Sequence, residues 1–141
     1  MRKISLLLVL LLASVIPVCA QSKDSSKKKE IKEWLLKYLA QEMELTPEQQ
    51  KPFFELYSQY LKERHKLMKE TKAKEKQLSE NPNVSEAEIK KAKAEAKEKE
   101  AEIERRYNEK FSKFLSQKQI AKMKVAEKKF KEMMDKKKNS K

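Results

Sequence analysis

The chain holds one imidazole, His65, set between Arg64 and Lys66, and one thiol, Cys19, inside an apolar run near the start. Nucleophilic catalysis needs a base that a third group holds against the attacking atom. A single histidine between two cations on a lysine-rich stretch offers no such arrangement and reads as a surface residue. Zinc requires three or four His, Cys or acidic ligands on converging faces, and none converge in this pattern. Carboxylates are plentiful but alternate with lysine. Pairs such as Glu86–Lys90 and Glu95–Lys99 fall at i,i+4, where an ion pair on a helix surface is worth about 0.3 kcal/mol. The expectation is a protein that is not an enzyme and that carries no cofactor and no metal site.

Binding chemistry is better represented. Phe53, Phe54, Tyr57, Tyr60, Leu61 and Met68 gather in one stretch, and Tyr107, Phe111, Phe114, Met123 and Phe130 gather in another. Aromatic and methionine side chains on a thin helical scaffold stay partly open unless a second copy, a partner helix or an unfolded client covers them. These eleven residues are the candidates for client or partner binding. The same residues would equally serve as the core of a hairpin or of a dimer.

The elements that must position them are helical. Charged residues make up 40% of the chain against 38% hydrophobic, too polar for a thick core and too periodic for simple disorder. There is no glycine, so the Gly-rich loops that let backbone approach phosphate are absent. One stretch organises the rest, from Leu45 to Leu78. Thr46 reads as an N-cap, Pro47 as the first helical residue and Gln49 as the partner that closes a capping box. Phe53, Tyr57, Tyr60, Leu67, Thr71, Lys74 and Leu78 then form a seam on one side of a helix. From Pro47 to Leu78 such a helix is roughly 48 Å long at 1.5 Å per residue.

Glu80-Asn81-Pro82-Asn83 is the clearest turn, and Ser85 with Glu88 forms a second capping box. The next seam is Ile89, Ala92, Ala96, Ile103, Tyr107, Phe111 and Phe114. Aromatic residues thin out toward the turn and return after it, so folding back antiparallel brings the two aromatic ends together. A shorter helix over Glu30–Met43 precedes the hairpin, with Trp34 expected against Phe53 and Tyr57. A last helix follows Ser116 and carries Ile120, Met123, Phe130 and Met133 or Met134. The predicted fold class is all-α: an elongated antiparallel hairpin with short flanking helices, four helices in all.

The first twenty residues set the compartment. Met1-Arg2-Lys3 is a short positive segment, Ile4 to Ile16 is apolar apart from two serines, and Pro17-Val18-Cys19-Ala20 ends on small residues. This is the pattern of a secretory signal peptide with cleavage after Ala20, and the run is short for a membrane span. A lipid anchor on Cys19 is the other reading. Pro17-Val18 departs from the small residues that a lipobox places there, so Cys19 is assigned to the leader. The expected organisation is a signal peptide over 1–20, a flexible polar lead-in over 21–29, one helical domain over 30–135 and a basic tail over 136–141. The expected location is the periplasm.

Formal net charge is +13. A basic balance attracts nucleic acid, anionic lipid or acidic protein. The charge reads as spread along every helix rather than gathered on one face, and no nucleic-acid motif accompanies it. Nucleic acid is therefore set aside, and a weak contact with an anionic membrane surface is retained.

Two helix starts share a phrase, Leu45-Thr46-Pro47-Glu48-Gln49 and Leu115-Ser116-Gln117-Lys118-Gln119, both fitting L-[T/S]-x-x-Q. Two copies flanking a long hairpin behind a signal peptide make the chain resemble the Spy/CpxP-like family of periplasmic proteins, known for paired LTxxQ motifs. The Leu45–Tyr60 stretch and the ending Ala126-Glu127-Lys128-Lys129-Phe130 are also similar to a group of small exported helical proteins of Bacteroidetes-type bacteria. The matching motif positions are Leu45, Thr46 and Gln49, then Leu115, Ser116 and Gln119, with Ser116 in place of the family's Thr. The resemblance implies long bent hairpins paired as a cradle-like homodimer. It further implies ATP-independent chaperone action on aggregation-prone envelope proteins, or a role as an envelope-stress adaptor bound to one sensor or regulator. A metal-responsive branch of the family carries His-rich segments that this chain lacks.

Overall fold

The computed structural model describes the backbone of residues 18–140 and side chains from residue 25 onward. The signal-peptide expectation therefore lies outside the described residues, apart from the backbone of its last three positions. Among the described residues the fold is all-α, with α1 over Val18–Glu42, α2 over Pro47–Glu80, α3 over Glu86–Phe111 and α4 over Gln117–Asn139. Four helices are therefore present, as the sequence predicts. α1 begins well before Glu30 and takes in the polar segment 21–29 as helix. Lysines are good helix formers, and extending a nucleated helix costs little per residue.

The chain divides into two compact units, one ending at Tyr38 and the other running from Leu39 to its end. In the first, Ile31 and Trp34 keep 40% and 37% of their surface exposed. The second unit opens with the end of α1, which closes without glycine. The Leu45 N–H reaches back to the Ala40 carbonyl at 3.1 Å and the Glu44 N–H to the Gln41 carbonyl at 3.2 Å. This is a Schellman ending, and it places Glu44 in the left-handed region at φ 54°. A non-glycine residue there costs roughly 1–2 kcal/mol. Leu45 and Ala40, joined by that bond, are both buried, as are Leu39 and Met43.

α2 and α3 run antiparallel, as the pairing shows. Phe53 packs on Phe111 at 5.6 Å between ring centroids and Tyr60 on Tyr107 at 5.2 Å. Farther out, Glu63 pairs with Arg106 and Lys74 with Glu95, so residues rise on one helix as they fall on the other. Pro52 lies in the second turn of α2, on the exposed side, and the helix passes through it. The turn joining the two helices is held by Asn81: its side-chain oxygen accepts the Asn83 N–H at 3.0 Å and its carbonyl accepts the Val84 N–H at 3.3 Å.

Phe111 closes α3, and Phe114 lies in the turn beyond it rather than on the helix. After that turn α4 folds back along α3, with Lys124 reaching Glu104 and Glu127 reaching Arg64. Ile120, Met123, Ala126 and Phe130 face inward. The base is thus three helices around stacked rings, whereas the outer arm joins α2 to α3 through half-buried Leu67 and the small residues Thr71, Ala92 and Ala96.

Burial follows that division. Phe53, Tyr57, Tyr107 and Phe111 are at most 1% exposed, while no residue from Lys62 to Glu102 is fully buried. Local opening is cheapest where little apolar surface is closed off. In native-state hydrogen exchange, amides of Glu70–Leu78 and Ile89–Ala96 are expected to exchange by local opening well before those of Phe53–Tyr60 and Ile103–Phe111. Substituting Phe111→Ala should lower unfolding stability by about 3–5 kcal/mol, and Glu44→Gly should raise the urea midpoint. Relief of left-handed strain outweighs the solvent-screened Glu44–Lys122 ion pair, since surface pairs of this kind contribute little.

Candidate functional site

The two L-[T/S]-x-x-Q phrases meet. Each forms its own capping box. Thr46 Oγ1 accepts the Gln49 N–H at 3.3 Å while Gln49 Oε1 accepts the Thr46 N–H at 3.1 Å. Ser116 and Gln119 repeat the exchange at 3.1 and 3.0 Å. A capping box uses only the carbonyl end of a glutamine, which leaves the NH₂ group with donors to place. Here each is given to the other motif. Gln119 Nε2 donates to Gln49 Oε1 at 2.9 Å, and Gln49 Nε2 donates to Gln119 Oε1 at 3.2 Å and to the Phe114 carbonyl at 2.9 Å. Leu45 and Leu115, the residues just before the caps, are 8% and 5% exposed. All six motif residues therefore work at one junction that ties the start of α2 to the start of α4.

A second polar cluster lies where the aromatic base gives way to the arm. Glu127, on the inward side of α4, lies by the Tyr57 hydroxyl and faces Arg64 at 3.6 Å. Arg64 also reaches Glu100 at 3.5 Å and lies over the Tyr60 ring at 5.3 Å. Burial raises the Glu127 carboxyl above the usual carboxylate range, against the pull of Arg64. Burial likewise raises both tyrosines, Tyr60 to about 12. On the opposite flank Glu63 accepts from Tyr107 at 2.8 Å and from Arg106 at 2.7 Å, and these two bonds hold its carboxyl below the usual range.

Seven of the eleven binding candidates are interior: Phe53, Tyr57, Tyr60, Tyr107, Phe111, Met123 and Phe130. They fill the space between the helices of the base and offer no surface. The other four divide by depth. Phe54, Leu61 and Phe114 are half-buried, and Met68 is 47% exposed. Phe54, Leu61 and Met68 follow one another at steps of seven, a single line along the flank of α2. His65 is exposed, and no cluster of three or more His, Cys, Asp or Glu able to hold a metal occurs among the described residues.

The reading from sequence missed Glu127 and the joining of Gln49 to Gln119. Both had signals. Glu127 sits on the same helical face as Ile120, Met123 and Phe130, where an acidic residue implies a buried partner. The spare amide donors of two capping glutamines equally imply partners elsewhere. No protein-family model, curated protein or solved structure matches the chain.

The sign of the pH dependence follows from the two carboxyls. Glu63, depressed when folded, adds stability that is present above the unfolded value near 4.5 and lost as pH falls through its folded value. Glu127, raised when folded, adds stability below that same unfolded value and gives it up as pH rises through its folded value. Glu127→Gln keeps a partner for Tyr57 and removes the desolvated charge. It should raise the melting temperature at pH 7–8, with the gain shrinking to nothing near pH 4. A double-mutant cycle on Gln49→Ala and Gln119→Ala, read by urea denaturation, should return a coupling of about 0.5–3 kcal/mol.

Proposed function

We propose that this chain is an exported, ATP-independent chaperone-like protein that holds unfolded or aggregation-prone envelope proteins on an amphipathic helical surface. The observation that carries this reading is the line of Phe54, Leu61 and Met68, left partly open while the neighbouring seam of α2 is closed. The strip is narrow. Lys62, His65, Lys69 and Lys72 border it, all exposed. Small apolar contacts within a cationic rim suit brief capture, since charge speeds the encounter and a limited apolar area lets the client go. The paired L-[T/S]-x-x-Q phrases support the same reading through their resemblance to the Spy/CpxP-like proteins. The rival function is an adaptor for one envelope sensor or regulator.

Light scattering with two unrelated aggregating clients tests the proposal. The protein should suppress aggregation of both without nucleotide. Met68→Glu should weaken suppression at least twofold, and its unfolding free energy from urea denaturation should stay within about 0.5 kcal/mol of the parent because the site is exposed. If neither client is protected and a single partner is retained in a pull-down, the adaptor replaces the chaperone.

A further inference from the structure

Positive charge is not spread evenly over the helices, contrary to the reading from sequence. α3 balances eight acidic against eight basic residues, whereas α4 carries nine lysines against Glu127, Glu132 and Asp135. Glu127 is turned inward to Tyr57 and Arg64, so it does not offset the outer surface. With Ile120, Met123, Ala126 and Phe130 facing the bundle, helical periodicity puts Lys118, Lys122, Lys129 and Lys136 in one outward row. Val125, 55% exposed, and Glu132, also exposed, stand along the edge of that row, so four lysines there face one carboxylate. Lys122 reaches Glu44, but no ion pair among the described residues engages Lys118, Lys129 or Lys136.

We infer that this outer face of α4 lies flat on a phospholipid bilayer that carries anionic headgroups. A bilayer presents negative charge as a plane, and a straight row of long cations meets a plane without any groove or pocket. Lysine stems reach headgroups flexibly, and Val125 can enter the interface between them. The row lacks the aromatic side chains on which exposed bases stack, which disfavours single-stranded nucleic acid as the occupant. The contact is peripheral, since no described helix is long and apolar enough to cross a membrane. It does not depend on chaperone action, because vesicle binding is scored with no client present.

Co-sedimentation of the full-length protein compares phosphatidylcholine vesicles with vesicles containing 30% phosphatidylglycerol, the readout being the ratio of bound protein. The ratio should exceed about twenty at low salt, as two or more lysines at about fivefold each require, and collapse toward one at 0.5 M salt. Each lysine at a headgroup plane contributes roughly fivefold, so the triple variant Lys118→Gln, Lys129→Gln, Lys136→Gln should lower the ratio at least tenfold. The matched variant Lys90→Gln, Lys93→Gln, Lys97→Gln, on exposed positions of α3, should change it by less than about twofold. Equal losses in the two variants, a ratio of one at low salt, or binding to duplex DNA without preference for anionic vesicles would each overturn the inference.

Discussion

Two glutamines seventy residues apart hold the base of this protein in register. Gln49 and Gln119 each close a capping box with one oxygen and then pass their amide protons across to the other helix. Each donor end thus has a single geometry in which everything is satisfied. A helix N-terminus leaves four backbone N–H groups without intrahelical partners, so two such ends packed together need a shared solution. The solution found here also fixes where α4 starts relative to α2. With Leu45 and Leu115 buried beside it, the junction sets the height at which the aromatic layers stack.

The rest of the base follows from that register. Phe111 touches Phe53, Tyr57, Tyr60 and Tyr107, so one ring near the end of α3 meets most of the aromatic residues of both helices. Above it the packing changes character. Tyr57, Glu127 and Arg64 form a polar step in which a carboxyl is largely held away from water, and beyond it the hairpin proceeds on half-buried Leu67, on alanine and threonine, and on surface ion pairs. The fold therefore concentrates its apolar burial at one end and leaves the other end loosely joined.

Much of this was readable in the chain. The helix starts at Thr46, Ser85 and Ser116 carry their own signals, because a capping side chain and its partner three residues later act locally. The turn at Asn81 and the antiparallel return were likewise fixed by local chemistry and by where the aromatics cluster. What could not be read was distance. Nothing local tells Gln49 that Gln119 will be its neighbour, or that Glu127 will sit against Tyr57. The binding candidates show the same limit: periodicity picked out Phe53 and Phe54 together, yet one is wholly enclosed and the other half-open. The polar run before Glu30 differs for another reason, since a segment with no apolar face can still continue a helix already formed.

The alanine-lined arm frees one dimension of the molecule. Between Ile103 and the turn no side chain of α2 or α3 is fully buried, so matched turns can be added to or taken from both strands of the hairpin without disturbing the ring stack below. Reach becomes a quantity that descendants of this chain can vary at little energetic penalty, while the junction of the two glutamines holds the footing constant.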